Sequence, residues 1–238
     1  MDRRRNFRRI TMKNFIVILF VAVFAVGGMA QEKYLKPVDE AAKDPSFVEF
    51  RTKLIAAAER KDTKYVMAAM DPKIELSFGG HVGAADFKEL WKPDSKNSLF
   101  WKEFLTILKN GGSFGEDTGD DVSRFFAPYT YSEFPDDPEI DMFRDGIVIG
   151  TDVNLRESPD TKSKIIGTLS HNIVKIDFER SVLKKNPAGI DYAWYKIETF
   201  GGKKGFVSGD YIRGGVDYRI GFEKKNGKWR MTFFLAGD

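Results

Sequence analysis

The chain has 238 residues, 42% of them hydrophobic and 31% charged, which excludes wholesale disorder and leaves room for one large domain or two small ones. Its net charge of +3 is an N-terminal effect: residues 1–30 carry six Lys/Arg and one Asp, and the remainder, with 32 basic and 34 acidic side chains, offers no basic field to a nucleic acid. There is no cysteine, which excludes disulfide staples, a thiolate nucleophile and an acylated-cysteine anchor.

Residues 1–30 read as a signal peptide. Arg3 to Arg9 with Lys13 form a positive n-region, Phe15 to Val26 an unbroken apolar run, and Gly28 and Ala30 the small residues a signal peptidase needs, so cleavage is expected before Gln31. The apolar run is shorter than the roughly 20 residues that span a bilayer, which argues against a retained anchor. The expectation is an exported protein, periplasmic or secreted, with no stable membrane span after cleavage. Either Met1 or Met12 can serve as its start.

Residues 31–44 form a polar, extended leader. Phe47, Phe50, Leu54 and Ala58 then recur at helical spacing, behind Asp44 as N-cap and Pro45 at the first helical position. A short helix over Thr63 to Met70 stops at Asp71-Pro72, and Lys73 to Phe78 alternates as a half-buried strand ending at Gly79-Gly80. Helices follow over 84–92 and 98–109, the second closed by Asn110-Gly111-Gly112. Glu116 to Asp121 is an acidic loop. Arg124 to Phe134 is a proline-broken strand, hence an edge or bulged one. Residues 135–141 are the clearest linker, so the first α+β domain is placed at 45–140.

Beyond the linker the pattern is all-β. Short apolar runs fall at 147–149, 153–155, 164–169, 173–178, 194–197 and 205–207, with turn signals between them, as in a small barrel. The last segment, 216–238, is a hairpin around Asn226-Gly227. Tyr211-Ile212 already closes the barrel, so the surplus hairpin needs another sheet and is expected to return to the first domain, leaving the barrel as an insertion.

Val153-Asn154-Leu155-Arg156, Pro159, Ile166-Gly167-Thr168-Leu169, Trp194-Tyr195-Lys196-Ile197, Gly205-Phe206-Val207 and Tyr211-Ile212 stand in an order that resembles the bacterial SH3 family. The resemblance covers about 146–214 and implies a five- or six-stranded barrel that binds peptidoglycan or a peptide. Asn172 stands at a tight turn where the family has glycine, Phe206 replaces its tryptophan, and 177–191 is a longer, more charged connection. The remainder resembles the nuclear-transport-factor-like fold, in which helices pack on a curved antiparallel sheet completed by the last hairpin.

Two sets of residues are candidates for a site. On the barrel they are Tyr192, Trp194, Phe206 and Tyr211, whose flat faces suit a peptide or glycan, together with Arg156, for which a role across the barrel competes with a ligand contact. In the first domain they are His81, Asp86 and Trp91, at the mouth of a pocket behind Gly79-Gly80 or simply in a strand-to-helix loop above a core aromatic pair. His81 and His171 are the only histidines and lie in different modules, so no metal site is expected, and no cofactor motif is present. The leading expectation is a non-catalytic binding protein whose partner is cell-wall glycan or an envelope protein or peptide. The rivals are a hydrolase using carboxylates and His81, and an envelope scaffold.

Overall fold

The computed structural model describes residues 31–116, 122–186 and 189–237. The signal read at residues 1–30 and most of the acidic loop lie outside the described residues. Among the described residues no helix is long and apolar enough to cross a membrane.

The first helix begins where the cap chemistry demands. α1 (Pro45–Glu59) starts behind Asp44, whose carboxylate accepts from the amides of Ser46 at 2.8 Å and Phe47 at 3.3 Å. Burial alone would raise this carboxyl. Hydrogen bonds from Ser46 and from Lys224, together with the two amides, outweigh it and hold the pKa at about 2. Lys224 belongs to the C-terminal hairpin, so one carboxylate ties the two ends of the described chain together at 3.0 Å. α2 (Thr63–Ala68), α3 (Gly83–Trp91) and α4 (Phe100–Lys109) complete the helical layer.

The sheet beneath these helices takes strands from both chain ends. Its order is β1 (Met70–Glu75), β12 (Lys228–Leu235), β11 (Arg219–Lys225), β3 (Ser123–Ala127) and β2 (Ser113–Phe114). The β11–β12 turn at Asn226 and Gly227 has both residues at positive φ, as a tight two-residue hairpin requires. As expected, the hairpin joins the first domain: Phe222 lies opposite Phe125 of β3, and Met231 opposite Met70 of β1. Phe47 of α1 seals the assembly, with ring centroids 4.2 Å from Phe125, 5.3 Å from Phe222 and 4.8 Å from Trp229.

Three local expectations are corrected. β1 starts at Met70 and runs through Pro72, because it is an edge strand and the missing proline N–H faces away from its single partner. β1 also pairs with β12 in parallel, a departure from the wholly antiparallel sheet of the nuclear-transport-factor-like resemblance. β3 is not an edge strand, since β2 covers it, and Pro128 ends it before the short helix α5 (Tyr129–Ser132).

The second unit is a curled, all-antiparallel half-barrel. It consists of β4 (Asp145–Val148), β5 (Val153–Arg156), β6 (Ile165–Leu169), β7 (Ile173–Asn186), β8 (Gly189–Thr199), β9 (Lys204–Ser208) and β10 (Ile212–Gly214), ordered β10-β4-β7-β8-β9-β5-β6. Val153 and Leu155 point inward and Asn154 outward, as strand alternation requires. They join Val148, Leu169, Val174, Ile197, Val207 and Ile212 in an aliphatic core. The turn after β6 differs from expectation. His171, not Asn172, takes the left-handed conformation, with φ 57°. Asn172 is buried and extended, and its Oδ1 accepts from the Ser170 amide at 2.8 Å. The charged stretch after Phe178 is no loose connection either: β7 and β8 continue outward as a two-stranded arm.

The leader straps the two units together. Leu35 N donates to His171 O at 2.9 Å and Ile173 N to Lys33 O at 2.8 Å, which adds a short strand beside the barrel. Glu32 accepts from Thr199 Oγ1 at 2.8 Å. A few residues on, Gly112 N donates to Val38 O and Glu40 N to Gly112 O, both at 2.9 Å. Gly112 has φ 146°, and a Cβ there would sit 2.1 Å from Phe126 O, so only glycine lets leader and sheet meet this closely. Tyr129, Ile147 and Ile173 bury a third apolar cluster under the strap, with Leu35, Val38 and Phe134 packed against it.

Candidate functional site

Between the helical layer and the half-barrel lies a cleft of about 270 Å³. Its helical wall is made by Trp91 and Glu103. Trp91 closes α3, stacks on Phe234 at 4.9 Å and meets Tyr218 edge-on at 4.8 Å. Its barrel wall is made by Tyr195, Asp191, Arg213 and Asp217. Tyr195 shares the face of Ile197 by strand alternation, and a bulge brings a second ring beside it. Leu183 pairs with Tyr192 and Val182 with Trp194, so Ala193 is an extra residue on β8. The bulge turns Tyr192 to the same side as Tyr195, with centroids 4.9 Å apart. Gly209 fits against it, since a Cβ there would lie 1.9 Å from Tyr192 O.

The electrostatics of the cleft centre on Arg213, which is only 5% exposed. Its Nη2 donates to Glu103 at 2.9 Å across the interface and to Tyr218 O at 2.7 Å, while its Nε has no acceptor among the described residues. A buried guanidinium with an idle donor is costly, by about 1–3 kcal/mol for each unsatisfied group. Asp217 accepts from the Gly214 amide at 2.8 Å. Burial pushes its carboxyl up, against the opposing pull of Arg213 and that amide. Burial likewise pushes the Tyr195 hydroxyl up, with the negative charges of Asp217 and Asp191 adding to the effect. At the rim, Lys102 pairs with Asp210, and Lys184 approaches Asp191 at 3.9 Å.

The residues singled out from sequence are dispersed. Trp91 lines the cleft. His81 and Asp86 do not: His81 sits on the exposed connection before α3 and Asp86 in the first turn of that helix, where His81 Nδ1 is 3.6 Å from Asp86 and the Asp86 carboxylate accepts from the Val82 amide at 2.9 Å. Tyr192 belongs to an aromatic group on the arm, with Phe178 at 5.7 Å and Tyr195. Trp194 is half-buried on β8, and among the described residues no ring stacks on it. Phe206 lies opposite Arg156 in the β5–β9 ladder, under the Lys196 ammonium at 4.6 Å. Arg156 turns inward to its own hairpin and donates to Ser163 O at 2.6 Å, which accounts for it as architecture. Tyr211 is exposed, and its carbonyl accepts from Ile149.

Tyr195, Glu103, Arg213, Asp217 and Tyr218 escaped the sequence reading. The W-Y-K-I motif points to its tryptophan, and only the docking of the two units brings Glu103 to Arg213, Asp217 and Tyr218. Among the described residues, no group of three or more His, Cys, Asp or Glu is placed to hold a metal ion.

A family model for the bacterial SH3 domain matches residues 151–213, the span of the half-barrel from β5 to β10. That segment is a bacterial SH3 domain, and the residues around it are unassigned. No curated protein and no solved structure gives a significant match.

Proposed function

We propose that the protein is a non-catalytic binding protein, exported to the bacterial periplasm or cell envelope, whose SH3 module recognises peptidoglycan or a peptide. The observation that carries this reading is the bacterial SH3 match over 151–213, since modules of that family typically bind the cell wall. Two features support it. The arm offers Phe178, Tyr192 and Trp194 at partial exposure, and flat, weakly hydrated rings suit peptide and glycan faces. The strap and the Arg213–Glu103 pair hold the module against a second domain, so a bound ligand meets a preorganised surface.

Incubation of the protein with purified insoluble cell wall tests the reading. Wild type is expected to sediment with the wall, and Tyr192→Ala with Trp194→Ala to remain in the supernatant. No sedimentation, combined with capture of one specific envelope protein, sinks the peptidoglycan reading. That outcome supports the scaffold reading, which the 65% exposure of Leu183 on the same arm favours.

A further inference from the structure

The cleft between the two units carries more chemistry than docking requires. An interface that served only to join the modules would bury apolar surface, as the Tyr129–Ile147–Ile173 cluster does. This one instead leaves a void of about 270 Å³ lined by aromatic rings and by charges that do not all cancel. Of its three cations, Lys102 is engaged by Asp210 and Arg213 by Glu103. Four carboxylates, Glu103, Asp191, Asp210 and Asp217, line the cleft against these three cations; Lys184 reaches Asp191 only at 3.9 Å, and the cation beside Asp217 is Arg213, which Glu103 already engages. The site therefore has a surplus of negative charge beside aromatic faces, the combination that attracts an ammonium group. On the same wall the buried Arg213 keeps one N–H without an acceptor among the described residues, which asks for a carbonyl or carboxylate oxygen.

We propose that this interdomain cleft is a ligand site for the zwitterionic end of a short peptide, its ammonium against Asp191 and Asp217 and its carboxyl oxygen on Arg213. The volume lies just below the roughly 300–1,000 Å³ of drug-sized pockets, so the site takes a fragment of one or two residues and not a glycan strand. The inference rests on the binding-protein reading above and adds where the ligand sits and which groups it must carry.

Dialanine, N-acetyl-dialanine and dialanine amide are the probes, titrated into the full chain and followed by amide chemical shifts. Dialanine is expected to move Tyr195, Arg213 and Asp217, and removal of either its ammonium or its carboxylate to weaken binding at least tenfold. Asp191→Asn, at a half-exposed position that leaves the fold intact, should weaken dialanine about fivefold or more and leave N-acetyl-dialanine unchanged. Asp217→Asn keeps an acceptor for the Gly214 amide and should act in the same way. Equal binding of the three probes, or no shift at cleft residues, overturns the inference. If the protein still sediments with cell wall in that case, the SH3 reading stands and only the cleft assignment falls. Discrimination among the probes without sedimentation leaves the cleft site and removes the cell-wall reading.

Discussion

The two units are built from different materials and with different chain economy. The half-barrel core is aliphatic, eight side chains drawn from one contiguous stretch between Val148 and Ile212. The α+β core is aromatic, with Phe47, Phe87, Phe100, Phe104, Phe125, Phe222 and Phe234 fully buried, and the last two come from beyond the barrel. A small barrel closes with branched residues that fit its curvature, and here all seven of its strands come from one unbroken run of chain, Asp145 to Gly214. A layer of helices on a sheet leaves a wider gap that large rings fill, so it tolerates an insertion of seven strands between β3 and β11. Contiguity therefore makes the SH3 unit recognisable from sequence, and its absence hides the other unit.

The largest test of this contrast is truncation. A chain ended at Gly214 loses β11 and β12, which contribute Phe222, Trp229, Met231 and Phe234 to the aromatic core. The α+β unit should unfold, seen as loss of near-ultraviolet circular dichroism, while amides of the half-barrel core stay protected from exchange. Retention of both units would show that the hairpin is an ornament and not a structural member. Next in size, Phe47→Ala should cost about 3–5 kcal/mol in denaturant unfolding, because its ring touches three others from three elements. Its barrel counterpart, Leu155→Ala, should cost about 2–5 kcal/mol and leave the environment of Trp229 unchanged.

Smaller effects report on the joints. Glu32→Ala leaves Thr199 Oγ1 without its acceptor and should cost about 1–2 kcal/mol, with faster hydrogen exchange at Leu35 and Ile173 and little change inside either core. Asp44→Ala removes the α1 cap and its tie to Lys224, for about 1 kcal/mol at neutral pH. The sign of its pH dependence follows from its pKa of about 2, below the unfolded value of about 3.9. The contribution is complete above about pH 5 and disappears as the pH falls through 2. Wild type should thus lose stability over that acid window more steeply than the variant, as thermal midpoints between pH 5 and 2 would show.

Legibility followed the range of the forces involved. Asp44-Pro45 and Asn226-Gly227 act over a few residues, and both boundaries stand where the sequence places them. The SH3 strands were readable because ordered local motifs fix them. β1 starts earlier than its residues suggest because an edge position overrides the proline signal, a fact of its neighbours and not of its own residues. The outer half of the β7–β8 arm carries charges without apolar alternation, so nothing local marks it as strand. The cleft was least legible, because Glu103 and Arg213 are 110 residues apart and meet only after docking.

The return of the hairpin to the first sheet also sets a timetable for synthesis. When α4 is complete at Lys109, its core partners on β12 are still about 120 residues away. At roughly 5–20 residues per second, that is a delay of about 6–24 s. Throughout that interval Phe100, Phe104 and Trp91 have no Phe234 to cover them. The nascent chain thus presents sticky aromatic surface on its first half while its middle is already able to close, an order of events that a holding chaperone at the ribosome or membrane would meet before any folded protein exists.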